Sequence, residues 1–121
     1  LKQMADGTEL HAALEVTGKP RRLAPVIENN LLRVGQEAIT NATRHARARE
    51  IKVILDFGEK QFRLTVRDDG AGFDPAKPPP RSGGFGLVGM KERAAEVKGE
   101  LRIRSEPNQG TEITLTVPLS G

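Results

Sequence analysis

The 121-residue sequence predicts a two-layer α/β sandwich of the α+β kind, in which a mixed, largely antiparallel sheet of about five strands carries its helices on one face. Three observations predict it. Five short runs alternate apolar and polar residues, which is the pattern of half-buried strands. Two longer segments repeat apolar residues at helical spacing. Between the third strand and the second helix lies a Pro- and Gly-rich segment, residues 73–86, too polar to pack, which a compact domain keeps as a functional lid.

Composition narrows the class. With 36% hydrophobic and 29% charged residues the chain is one ordinary globular domain, residues 1–121, too short to divide into two self-supporting cores. There is no cysteine, hence no disulfide or thiolate metal site, and two histidines far apart in sequence make no zinc site by themselves. A net charge of +3 with scattered basic residues and no Trp or Tyr argues against nucleic acid. No apolar run reaches membrane-spanning length and no signal peptide is visible, so the expectation is a cytoplasmic domain without direct membrane contact. The first residue is Leu rather than Met, and residues 1–8, without usable pattern, are expected to be the tail of an upstream linker.

From Glu9 to Thr17, Leu10, Ala12, Leu14 and Val16 alternate with polar residues and are expected inward, leaving His11 on the solvent side. Leu23 to Arg47 is a long helix, either continuous or in two segments that meet near Asn29-Asn30, and Pro25 is tolerable in its first turn. Ile51–Asp56 and Phe62–Arg67 form a hairpin over Phe57-Gly58-Glu59-Lys60. Leu87 to Lys98 is the second helix, capped by Gly99. A second hairpin closes the chain, with Leu101 and Ile103 inward, a turn at Pro107–Gly110, then Ile113, Leu115 and Val117.

Three features go beyond packing. Glu37, Asn41 and His45 recur every four residues and form a polar stripe beside the apolar arc of the first helix; either they are solvated surface residues or they line one wall of a pocket. The inward parity of Phe62, Leu64 and Val66 continues onto Asp68, and a carboxylate in a core-facing row is costly unless something binds it. Thr111 shares the parity of Ile113 and is a second inward polar group at a strand end. The second helix also begins Gly84-Phe85-Gly86-Leu87-Val88-Gly89, where free backbone N–H groups and the helix dipole favour a phosphate.

Taken in order, Glu37-x-x-x-Asn41 with Arg44-His45, Asp68-x-Gly70-x-Gly72, Gly84-x-Gly86-Leu87-x-Gly89-Met90 and Gly110-Thr111 resemble the successive boxes of the GHKL, or Bergerat-fold, ATP-binding domains. More narrowly the chain resembles the catalytic domain of bacterial sensor histidine kinases of the subfamily whose response regulators are NarL-like. Gly86-Leu87-Val88-Gly89-Met90-Lys91-Glu92-Arg93-Ala94 is the most subfamily-specific phrase, and the likeness runs from about Glu9 to the C-terminus.

The resemblance implies a Bergerat fold that binds ATP with Mg²⁺ and donates the γ-phosphate to a histidine on a separate dimerisation domain of the parent kinase. That domain would pass the phosphate to a response regulator. It implies that Asp68 accepts from the adenine amine with Thr111 nearby, and that Gly70 and Gly72 let the backbone approach the base. Asn41 would hold Mg²⁺, Arg44 and His45 would lie near the phosphates, and Gly84, Gly86, Leu87 and Gly89 would complete the ATP site. Glu37 is either a water-positioning base or a structural partner of the metal shell. Asp69 is acidic by position rather than role. Pro78-Pro79-Pro80 in the lid and Lys98-Gly99 in place of Gly-Gly depart from the pattern. An anti-sigma-factor-type serine kinase, or another ATP-driven GHKL switch, is the alternative.

Overall fold

The computed structural model describes residues 2–5, 8–45, 47–72 and 87–119, with side chains from Leu10 onward except those of residues 45 and 46. Its strands are β1 (Lys2–Ala5), β2 (Thr8–Gly18), β3 (Glu50–Phe57), β4 (Gln61–Asp68), β5 (Glu100–Ser105) and β6 (Thr111–Pro118). Its helices are α1 (Pro25–Thr40), continued by a wider π-type turn at Asn41–His45, and α2 (Leu87–Glu96). The sheet runs β1-β2-β3-β4-β6-β5. Among these strands only the β2–β3 pair is parallel, because α1 crosses over between them; every other pair is antiparallel. Five strands are those the alternation predicts. The sixth, Lys2–Ala5, pairs with β2 from the stretch in which the sequence shows no pattern.

The core lies where the helices meet the middle of the sheet. Val34, Ala38 and Ala42 from the first helix and Met90, Ala94 and Val97 at the second pack on Ile51, Phe62, Leu64, Val66, Ile113, Leu115 and Val117. Leu14 and Val16 differ from their expected burial: they share the inner face but remain 65% and 45% exposed. Period two decides which face a residue takes, while burial also needs a helix above it. Here α1 packs on β4 and β6, and α2 on β5, away from the β2 margin.

The first helix does not break at Asn29-Asn30. Asn30 is buried, its Nδ2 donates to the Val26 carbonyl one turn back (2.8 Å), and its Oδ1 receives Arg93 Nη1 (3.4 Å), so the amide is satisfied without interrupting the helix. The irregularity comes later, at Asn41–His45, where a π-type turn replaces regular winding. At the other helix, the left-handed residue is Lys98 (φ 54°), one position before the expected Gly99. The N–H of Gly99 bonds the Ala94 carbonyl and that of Lys98 the Ala95 carbonyl, which is a Schellman ending. Gly99 is needed instead for packing, since a Cβ there would stand 2.9 Å from Leu115 Cδ1 and from the Thr116 carbonyl.

Candidate functional site

Asp68 ends β4 directly opposite Thr111, the first residue of β6. It is half-buried, and its Oδ1 accepts the N–H of Gly70 at 2.8 Å. Loss of water around the carboxyl raises its pKa; the Gly70 and Thr111 backbone donors pull the other way, and the neighbouring charge of Asp69 adds to the rise. A carboxylate desolvated in this way and touched by no cation among the described residues is poised for a ligand that donates hydrogen bonds. Thr111, 9% exposed, places its hydroxyl 2.8 Å from Ser105 Oγ on the adjacent strand, and Ser105 Oγ also reaches the Gly110 carbonyl at 3.2 Å. Asp68, Ser105, Gly110 and Thr111 border one cleft at this end of the sheet.

Two glycines hold this end together by their own packing. Gly110 (φ 81°) lies against the carbonyl of Asp68, and Gly72 (φ 67°) against the carbonyls of Glu106 and Gly110, so a Cβ at either position would collide with backbone. The Asn108 N–H bonds the Ala71 carbonyl, closing the loop after Asp68 onto the β5–β6 turn. The described chain thus gives Gly72 a packing reason of its own, alongside the ligand-approach role that the resemblance implies.

A second cleft lies between α1 and α2, bordered by Arg33, Glu37, Thr40, Gly89, Met90 and Arg93 among others. Glu37 is half-buried there. A Cβ at Gly89 would meet nothing within 4 Å, so nothing in the described chain demands glycine at that place. Asn41 begins the π-type turn one helical turn beyond Glu37, half-buried, with its Oδ1 shielded from solvent. Arg44 is exposed on the same turn and lines neither cleft, while Leu87 packs against the core. The His45 side chain, Gly84, Gly86 and the lid, residues 73–86, lie outside the described residues. The structure therefore joins Asp68 with Gly110 and Thr111 at one cleft, and Glu37 with Gly89 at another.

Three residues have structural roles that sequence reasoning did not assign to them. Asp69 accepts from two backbone N–H groups, those of Arg49 and Glu50, both at 2.9 Å. Ser105 bonds Thr111, and Asn30 bonds Arg93 across the helices. A signal existed for Ser105, whose strand position faces Thr111 in register. For the other two, only the pairing of distant segments discloses the partner.

Among known proteins the chain is 36% identical over 120 residues to the signal transduction histidine-protein kinase/phosphatase DegS of Brevibacillus brevis, covering 99% of this chain and 31% of that one. To the DegS of Bacillus subtilis it is 40% identical over 101 residues, 83% of this chain and 26% of that one. It therefore spans about a third or less of these relatives. Among solved structures it superposes with TM-score 0.76 at 20% identity on the histidine kinase domain of a blue-light activated histidine kinase from Erythrobacter litoralis, over 91% of this chain and 52% of that one, which shows the shared fold. Residues 26–121 match the family described as histidine kinase-, DNA gyrase B- and HSP90-like ATPases, and with about four-fifths of its length inside that match the chain belongs to this family.

Proposed function

We propose that the chain is the ATP-binding catalytic domain of a two-component sensor histidine kinase of the NarL-like subfamily, donating the γ-phosphate of ATP to a histidine on a separate dimerisation domain. The observation that carries this is Asp68: a half-buried, desolvated carboxylate at a strand end, fixed by the Gly70 N–H and set beside Thr111. Such an acceptor suits the 6-amino group of adenine and opposes the 6-oxo group of guanine, so the base is chosen by hydrogen-bond polarity. DegS, the relative with 36% identity, is by its name a histidine-protein kinase, which supports the same reading.

The phosphate end is the α1–α2 side. Glu37 borders that cleft together with Arg33 and Arg93, which supports a role facing the phosphates over a purely internal one. Gly89 leaves its backbone open to close approach. For Mg²⁺ the donor set fits in a limited way: the Asn41 amide oxygen is a hard donor, and no group of three or more His, Asp or Glu side chains that could cage a metal exists among the described residues. The phosphates themselves would then supply most of the remaining oxygens, with Asn41 as the protein's contribution, and the ion would neutralise charge on them.

Calorimetry on this chain tests the reading. Mg-ATP is expected to bind at least about 100-fold more tightly than Mg-GTP, the order that one reversed buried hydrogen bond produces; equal affinities, or no binding of either, would remove it. Incubation with labelled ATP is expected to leave His11 unlabelled, since it borders a groove with Asp68 at the base end and does not line the α1–α2 cleft proposed for the phosphates. Adding the parent's helical domain is expected to restore acid-labile phosphate.

A further inference from the structure

The carboxylate of Asp69 borders the Asp68 cleft, and its hydrogen bonds tie that end of the sheet to the segment that follows α1. Its Oδ1 receives the N–H of Arg49 and of Glu50, each at 2.9 Å, and its own N–H bonds the Glu50 carbonyl at 3.2 Å. Arg49 and Glu50 follow α1 and its π-type turn: Ala48 N–H bonds the Ala42 carbonyl just before them, and Arg47 takes a left-handed backbone (φ 51°). One residue on the other side of Asp69 is Asp68, itself pinned by its register with Thr111, by the Gly70 N–H and by Gly110 against its carbonyl. A short path of backbone bonds therefore runs from Asn41 through Ala42, Ala48 and Glu50 to Asp69 and Asp68.

We infer that Asp69 is a positioning residue for nucleotide binding, holding the segment that carries the phosphate-facing Asn41 at a fixed spacing from the base-facing Asp68. This rests on the nucleotide reading above. ATP reaches both ends, so it depends on that spacing; adenosine reaches the Asp68 end alone, and that end keeps its own anchors when Asp69 is removed. What the lock requires is an acceptor at the Oδ1 position, not a negative charge.

The experiment compares adenosine and Mg-ATP binding by calorimetry for the chain and for Asp69→Ala, Asp69→Asn and Asp69→Glu, with a thermal melt on each. In Asp69→Ala, Mg-ATP affinity is expected to fall about tenfold and adenosine affinity by less than about threefold. Asp69→Asn keeps an oxygen that accepts both N–H groups, so it is expected to restore ATP binding to near the parent value. Asp69→Glu keeps the charge but displaces the acceptor, so it is expected to behave like Ala, and it carries the test should the Ala variant not fold. Equal losses for adenosine and ATP would overturn the inference, as would an Asn variant as weak as Ala, a Glu variant that binds normally, or no loss in any variant. A parent chain that binds neither ligand would instead refute the nucleotide reading itself.

Discussion

Gly110 lies directly against the backbone carbonyl of Asp68, and its φ of 81° belongs to the left-handed region. The turn residue of one hairpin thus supports the end of β4 from beneath. Gly110→Ala meets both a collision and backbone strain, and is expected to cost about 1–3 kcal/mol of stability. It is also expected to weaken ATP binding, because the Asp68 main chain must move to admit the methyl group. Denaturant titration and calorimetry on the same variant check the two effects.

Asp68→Asn separates stability from binding. Because desolvation raises the Asp68 pKa, ionising this carboxyl costs the folded chain more than the unfolded one. The penalty is absent below the ordinary aspartate value and develops as the pH rises through the raised, folded-state value. An amide at this position escapes it, so the nucleotide-free variant is expected to melt above the parent at pH 7, with the gap closing as the pH is lowered towards 4. ATP affinity is expected to fall roughly 100-fold, since the adenine amine would then face a second donor or a turned amide. Melting curves from pH 4 to 7, with and without ATP, decide both points.

Asn41→Ala probes the metal. Only a metal-bridged complex uses the amide oxygen as a ligand, so ATP affinity is expected to drop about tenfold in Mg²⁺ and to change little in EDTA. Equal loss in both buffers would assign Asn41 to holding the π-type turn.

Asn30→Ala leaves the half-buried guanidinium of Arg93 without its amide partner and removes the bond to the Val26 carbonyl. The expected cost is about 1–3 kcal/mol. Arg93→Ala in the same background is expected to cost less than it does alone, by about 0.5 kcal/mol or more, because the two side chains share one contact. Strict additivity in the double-mutant cycle would mean that the helices are held together without it.

Local periodicity and chain order are written in the residues themselves, and they carry much of this fold. Alternation predicts five strands and the face each presents, so that parity alone turns Asp68 and Thr111 inward, and the register sets them opposite one another. Helical spacing placed α1 and α2, and the order of the boxes identified the family. Whatever depends on neighbours distant in sequence emerged only from the folded chain. Leu14 and Val16 have the inward parity of a core row, yet they stay exposed because the helices lie over β4, β6 and β5. Asn30 looks like a helix breaker until Arg93 meets it from α2. Asp69 and Gly110 look like ordinary turn residues; their work is done on Glu50 and on Asp68, contacts created only when separate segments come together, which no local pattern records.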